Sequence, residues 1–314
     1  MNFQNLEYFV AVAHEGSITR AAEKLNITQQ ALSNQIARLE QELGCALFDR
    51  KNGFELTYSG RCFRDSAVQI LDINRQTESI LNDINENRRG ELKIGISHTR
   101  GQAVLPLLLP DFISENPQVS LSVVEASTRQ LEQELDRGSI DIMIGFKPFM
   151  LEQADSVDLY TEHLFIVAPK SLMEANLGKN YSSKVEEYKK SPNLALFKNA
   201  PFVLLKKGDR IRAIVDSEFS KAGVIPDVKL ETGNVQTAFS LAARGIGLAV
   251  VPELYLHSPY IISGNKNSDL RNQVEILPFT SEPSQIAIGY HSDRYLSAPA
   301  QDFIKLATAK FKEL

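Results

Sequence analysis

Two sets of side chains carry groups suited to recognition chemistry. Gln29, Gln30, Ser33, Asn34 and Arg38 recur along one stretch with amides, a hydroxyl and a guanidinium. Such groups donate to and accept from base edges, and Arg38 can reach a phosphate or a guanine. The second set follows the strand-like segment ELKIGIS: Ser97, His98, Thr99 and Arg100 place two hydroxyls and a cation at a helix entrance. That grouping suits a small anion such as a carboxylate. Thr128, Phe146, Lys147, Pro201, Phe202, Thr232, Gly233 and Asn234 stand at comparable strand ends. Nothing resembles a catalytic apparatus. There is no nucleophile-elbow pattern, no glycine-rich phosphate loop and no His pair at metal-ligand spacing, so neither an enzyme, a metal site nor a cofactor is expected.

The elements that must hold the first set are legible. Ser17 can cap a helix whose apolar face is Ile18, Ala21, Ala22 and Leu25, and Asn26 ends it. Thr28 can cap a second helix, on which Leu32, Ile36, Leu39 and Leu43 repeat at helical spacing and leave the polar set on other faces. Its capped N-terminus favours a phosphate nearby. Leu6, Phe9, Val10 and Ala13 predict an earlier helix as a third wall, with His14 at its exposed end. Two short apolar pieces around Lys51, Asn52 and Gly53 suit a hairpin beside the second helix, with Arg50 and Lys51 as phosphate contacts. Arg20, Lys24, Arg61 and Arg64 add further cations, and Cys45 is expected to pack behind the helix. On periodicity alone, a soluble amphipathic helix pair is the better explanation of the pattern.

What surrounds the pair decides between the two. The run AVAHEGSITRAAEKLNITQQALSNQIARLEQELGCALFDR, followed by LTYSG, resembles the N-terminal signature of LysR-type transcriptional regulators. Phe9, Gly16, Ser17, Ala21, Ala22, Leu25, Gln29, Leu32, Ser33, Leu39, Gly44, Phe48, Arg50, Thr57 and Gly60 are among the residues that carry the likeness. The tip differs: Gly53, Phe54 and Glu55 stand where the family usually has more basic residues. More of the phosphate contact therefore falls to the other cations.

A chain of 314 residues, 43% of them hydrophobic, has room for at least two cored domains. Its formal charge of -5 excludes a wholesale polybasic nucleic-acid binder, so any DNA affinity must come from a local set of cations. The opening MNFQNLEYF lacks the pattern of a secretory signal and no run suits a bilayer, which leads to an expected cytoplasmic location. Cys45 and Cys62, without a CxxC, suggest neither a disulfide framework nor zinc.

From 58 to 88 no proline occurs, and Phe63, Ser66, Ile70, Ile73, Thr77, Ile80 and Ile84 alternate three- and four-residue steps, the seam of a two-stranded coil. Asp65, Gln69, Asp72, Arg75, Glu78 and Asp83 form polar opposite faces, and a homodimer is implied. Beyond a hinge at 87–90 the chain alternates strands and helices: a helix at 105–116 entered through proline, strands at 119–124, 140–145 and 163–168, a polar surface helix and loop at 170–199, then further strands and a closing helix. The expected fold is an α/β effector domain of two lobes, periplasmic-binding-protein-like, preceded by an all-α winged helix-turn-helix domain and a long linker helix. The boundaries are 1–58, 59–89 and 90–314, with lobe I about 90–163 and 268–314 and lobe II about 164–267.

The resemblance extends into this part at Leu105, Pro106, Pro110, Phe112, Pro117, Leu131, Leu135, Gly138 and Asp141, and at GIGLAVVP. It implies a sequence-specific DNA-binding regulator, a dimer that associates into a tetramer on an interrupted palindromic operator, and a small-molecule effector. It also implies that Ser97, Thr99, Thr128, Phe202 and residues 232–234 line the effector cleft. The plainer alternatives are helix caps for the hydroxyls, solvent for His98 and Arg100, and ordinary core for Phe146 and Phe202. A solute-binding module without regulatory coupling remains the other use of the same fold.

Overall fold

The computed structural model describes residues 1–49, 54–84, 90–178, 180–257, 273–279 and 282–312. It opens with α1 (Phe3–Glu15), α2 (Ile18–Lys24) and α3 (Gln29–Leu43). Each begins on a side-chain cap: Asn2, Ser17 and Thr28 accept from the backbone N–H of Asn5, Arg20 and Ala31. Asn26 then turns the chain with a left-handed φ of 53°, which its short polar side chain tolerates better than most. Leu6, Phe9, Val12, Ile18, Ala21, Ala22, Leu32, Ile36 and Leu39 are buried together. At their centre the Phe9 ring lies 5.3 Å from Phe48 and 4.8 Å from Phe63. Leu43 and Cys45, expected in this core, are exposed instead. The chain reverses at Gly44, φ 68°, and both side chains fall outside the shell that Leu39, Leu47 and Phe48 fill.

The hairpin is short: β1 (Phe48–Asp49) pairs antiparallel with β2 (Glu55–Leu56). Arg50 and Lys51, the proposed wing contacts, lie outside the described residues. What fixes the hairpin to α3 is Glu40, whose Oε1 accepts from the N–H of Leu47 at 2.8 Å and of Phe48 at 3.1 Å. The following Thr57 starts α4 (Tyr58–Ile84): its Oγ1 donates to the Ala46 carbonyl at 2.8 Å and accepts from Gly60 N at 2.9 Å. Gly60 is needed for space, since a Cβ there would sit 2.0 Å from the Leu47 carbonyl oxygen.

α4 has three distinct faces. Phe63, Ala67 and Leu71 complete the N-terminal core. Ile70, Ile73, Ile80 and Leu81 are exposed, and the side chain of Ile84 lies outside the described ones. Asp72, expected on a solvated face, is only 5% exposed because α4 lies against the α/β part of the chain.

That part runs β3 (Gly90–Ile96), α5 (His98–Glu115), β4 (Val119–Glu125), α6 (Thr128–Arg137), β5 (Ile142–Phe146) and β6 (Ala154–Glu162). Then come β7 (Leu164–Pro169), α7 (Lys170–Leu177), α8 (Tyr181–Lys190), a 3-10 turn (Leu194–Phe197), β8 (Pro201–Leu205) and α9 (Arg210–Lys221). It closes with β9 (Asp227–Thr232), α10 (Val235–Ala243), β10 (Leu248–Pro252), α11 (Glu253–His257), β11 (Val274–Pro278), β12 (Ser284–His291) and α12 (Ala298–Lys312). Two five-stranded sheets result, ordered β4-β3-β5-β12-β6 and β11-β7-β10-β8-β9.

Several expectations change. The helix expected from 105 starts at His98 and carries Pro106 and Pro110 inside it, each proline removing one backbone donor without ending the helix. β6 is absent from the expected elements, since its alternating half-buried pattern is diluted by Asp155, Asp158 and Glu162. Residues 170–178 and 180–199 form α7, α8 and the 3-10 turn instead of one helix and a loop; most of them are at the surface as expected, but Met173, Val185, Tyr188, Leu194 and Phe197 enter the core of the second sheet. β11 belongs to lobe II rather than lobe I: it pairs antiparallel with β7, Val274 opposite Pro169 through Pro278 opposite Phe165. The second crossing between lobes therefore follows Pro278, about where Phe279 N still bonds to Leu164 O.

Gly60→Ala should destabilise the N-terminal unit by about 1–3 kcal/mol, the usual cost of overpacking. A thermal melt checks this, with Gly90→Ala as the control, since that glycine at the start of β3 has no left-handed φ and its Cβ would meet only Pro299 Cγ at 4.0 Å.

Candidate functional site

Parallel strands converge their carboxyl ends, and that is where the cleft between the lobes lies. Ser97, His98, Thr99 and Arg100 follow β3; Ala126, Ser127 and Thr128 follow β4; Phe146 ends β5; Glu162 ends β6. From lobe II come Asp209, Arg210 and Ile211 after β8, Gly233 after β9, and Pro252, Leu254 and Tyr255 at the end of β10. Together they enclose a cavity of about 170 Å³. A space of roughly 150 Å³ accommodates benzene, so the cavity fits a molecule of about that size.

The charges within it are unequal in availability. Arg100 is consumed internally: Nη2 donates to Glu162 Oε2 at 2.6 Å, Nε donates to the Tyr160 hydroxyl at 3.2 Å, and the guanidinium lies 4.5 Å from the Phe146 ring centroid. Burial opposes its charge, but Tyr160 and Glu162 outweigh burial and raise its pKa above the usual arginine value. Burial likewise pushes the Tyr160 phenol up to about 12, so it stays neutral. Glu162 uses its other oxygen on lobe II, where Oε1 accepts from Leu254 N at 3.3 Å.

Arg210 is in the opposite condition. It is the first residue of α9, it lines the cavity, and among the described residues its Nε is buried without a hydrogen-bond partner. Asp209 beside it caps α9 through Ile211 N and Arg212 N, and burial raises its pKa. Across the cleft, Ser97 is positioned as the cap of α5 yet makes no capping bond, which leaves the first amides of that helix, whose residues line the cavity, without a side-chain cap.

Ser97, His98, Thr99, Arg100, Thr128, Phe146 and Gly233 of the expected set are thus brought together. His98 sits at the rim, with Nδ1 3.1 Å from Glu125 Oε2. Pro201, Phe202, Thr232 and Asn234 are not on the wall. Phe202 is fully buried against Phe219, because it begins β8 and so lies at the wrong end of a parallel strand. Thr232 and Asn234 serve the start of α10, where Asn234 accepts from Thr237 N. Asp209, Arg210, Leu254 and Tyr255 were missed, although the rule of carboxyl ends, applied after β8 and β10, points to them.

On the N-terminal unit, Gln29, Gln30, Asn34 and Arg38 are exposed along α3, and Ser33 is half-buried. Arg20 is exposed too, but its guanidinium donates to the Glu15 carbonyl. Lys24 pairs with Glu15 at 3.1 Å, and that bond lowers the Glu15 pKa. Arg38 makes no ion pair among the described residues.

Two family models match: "Bacterial regulatory helix-turn-helix protein, lysR family" over residues 3–61, and "LysR substrate binding domain" over residues 85–312. The chain belongs to the LysR family of transcriptional regulators. It is similar to the HTH-type transcriptional regulator YcgK of Bacillus subtilis (strain 168), 31% identical over 100% of this chain and 96% of that one. ClcR of Pseudomonas putida is 32% identical over 81% of this chain and 83% of its own. Among solved structures, full-length CbnR complexed with its target DNA superposes with a TM-score of 0.65 at 20% identity, covering 99% of this chain and 100% of that one. A full-length OxyR point variant from Pseudomonas aeruginosa gives a TM-score of 0.68 at 23% identity, over 99% and 95%. At those identities the likeness speaks for the fold. This LysR-family chain is a DNA-binding transcriptional regulator with an effector-binding domain, and the family consists of regulators rather than enzymes. Among the described residues no helix is long and apolar enough to cross a membrane.

Arg100→Met should lower stability by about 3–5 kcal/mol, because it leaves the Glu162 carboxylate, 2% exposed, buried without its cation. Chemical denaturation with unchanged denaturant dependence would show it.

Proposed function

We propose that this regulator responds to a small organic carboxylate of about the size of benzoate, held between the lobes. The carboxylate sits where the open N-terminus of α5, with Ser97 and Thr99, meets the Arg210 guanidinium. The observation that carries this reading is the unpartnered Arg210 Nε: a buried charged donor without a partner is costly, and an anionic ligand supplies what it lacks. Asp209 beside it limits the net positive charge, which suits one carboxylate rather than a multiply charged anion.

The exposed stripe of Ile70, Ile73, Ile80 and Leu81 on α4 supports pairing with a second copy through a coil. A homodimer presents two α3 helices to successive major grooves of an interrupted palindrome. Gln29, Gln30, Ser33 and Asn34 read bases there, Arg38 reaches a base or phosphate, and the capped N-terminus at Thr28 faces the backbone. Further association into a tetramer and a cytoplasmic location complete the proposal. So do the divisions at 1–58, 59–89 and 90–314, with lobe II carried on through Pro278.

A thermal-shift series of benzoate, small aliphatic acids and their amides on the full chain tests the cleft. The acids should raise the melting temperature and the amides should not. Arg210→Met should weaken acid binding about 10–100-fold, the value of a charge-assisted hydrogen bond, while the unliganded melting temperature stays the same or rises, because the variant removes an unpartnered buried donor. Equal response to acids and amides would remove the carboxylate. Separately, Arg38→Ala should weaken specific binding to promoter DNA by about 1–3 kcal/mol with dimerisation intact, measured by gel shift and sedimentation.

A further inference from the structure

Helix α6 has its two ends in two different sites. Its N-terminal end is on the cleft wall, where Ser127 and Thr128 line the cavity. Ser127 and Gln130 close a capping box there, each bonding the backbone N–H of the other. Its C-terminal end, ten residues and about 15 Å away, is gripped by the linker helix and by the turn before α12. Arg294 donates to the carbonyls of Leu135 at 2.5 Å and Asp136 at 2.7 Å, and Arg75 of α4 donates to the Gly138 carbonyl at 2.6 Å.

The buried Asp72 carboxylate of α4 joins the two guanidinia. Oδ1 lies 3.0 Å from Arg75 Nη2, Oδ2 lies 3.1 Å from Arg294 Nε, and Gln76 Nε2 donates to Oδ2 at 2.7 Å. Arg75 reaches on to Asp141 at 2.9 Å, and Asp141 accepts from Lys93 N at 2.8 Å. Gly138 is required at the junction: its φ is 77°, and a Cβ would fall 2.1 Å from Asp72 Oδ2. Cations at a helix C-terminus and an anion at its N-terminus both suit the helix dipole, so the two ends of α6 favour ligands of opposite sign.

The packing of α6 suits it to move as a unit. Leu131 and Leu135 belong to a small apolar cluster with Ile140 and Met143, separate from the large core that unites the two lobes. The carbonyls at its end are bonded to guanidinia whose shared carboxylate is part of α4, the same helix that carries Phe63 and Ala67 into the DNA-reading unit.

We infer that α6 is the strut by which occupancy of the cleft is transmitted to the linker helix, acting through the Asp72, Arg75 and Arg294 cluster. This rests on the cleft being the effector site and adds how that site regulates. A ligand at Thr128 favours one axial setting of α6, and the cluster favours one setting of α4 for each; their difference is the coupling between effector and DNA.

The test supplies its own occupant. In the full-length chain with Cys45→Ser and Cys62→Ser, both native thiols being exposed, Thr128→Cys is labelled with 2-sulfonatoethyl methanethiosulfonate. The thiolate attacks the reagent sulfur, forms a mixed disulfide and releases methanesulfinate, fixing one sulfonate at the cleft wall, as mass spectrometry verifies. Amide hydrogen exchange then compares labelled and unlabelled protein. Exchange should change at least about five-fold in peptides covering 70–78 as well as 127–138, within the range of ordinary allosteric coupling. With Arg294→Gln or, separately, Asp72→Asn added, the change at 127–131 should persist and that at 70–78 should vanish. Far-UV circular dichroism confirms that at least one of the two is folded. A response at 70–78 that survives both substitutions, or a response in the parent confined to 127–138, overturns the strut. Because the anion is tethered, neither result depends on whether free benzoate binds, so a cleft that takes no carboxylate and a strut that transmits nothing are separate outcomes.

Discussion

The Glu162 carboxylate, 2% exposed at the point where the chain first leaves one sheet for the other, accepts from Arg100 of lobe I on one oxygen and from the Leu254 amide of lobe II on the other. One buried anion is therefore bonded to both lobes. Such a group is costly to bury and is retained only with its partners in place. The consequence for the cleft is direct. Arg100 is turned inward, flat over Phe146, and cannot also serve a ligand from the same guanidinium edge. The cavity-lining cation with an unpartnered nitrogen is Arg210, and it comes from the other lobe. A ligand that uses it must touch both halves of the domain.

The N-terminal unit follows a different constraint, that of close approach. Gly60 lets the start of α4 lie on the Leu47 carbonyl, Thr57 bonds both sides of that junction, and Glu40 ties α3 to the first strand of the wing. The helix that exposes Gln29 through Arg38 is thereby rigidly joined to α4. Reading a base edge needs a fixed helix, since a bidentate contact tolerates little rotation.

α4 is the element common to both. Its first turns belong to the N-terminal core, its middle carries Asp72 and Arg75 against the α/β part, and Ile70, Ile73, Ile80 and Leu81 are exposed. Asp83, near its end, accepts from the Tyr295 hydroxyl at 2.8 Å and from Ala298 N at 2.9 Å, a second attachment to the same lobe. The helix is thus held by polar contacts on one side and leaves an apolar stripe on another. That division is what the proposed pairing with a second copy would use.

Much of this was determined by local sequence. Caps at Ser17 and Thr28, the apolar repeat from Leu32 to Leu39, the strand and helix alternation after Gly90 and the hydroxyl set after β3 are all short-range patterns, and each is written in contiguous residues. Tertiary structure decided what depends on partners distant in the chain. Asp72 reads as solvated because its cation Arg294 comes only near the far end of the chain, β11 joined lobe II because its pairing partner is β7, and Arg100 was spent on Glu162. Periodicity reports which face of an element is apolar; it does not report which charge meets which. A buried ion pair is a property of two positions brought together by folding, and a run of residues read singly carries no record of it.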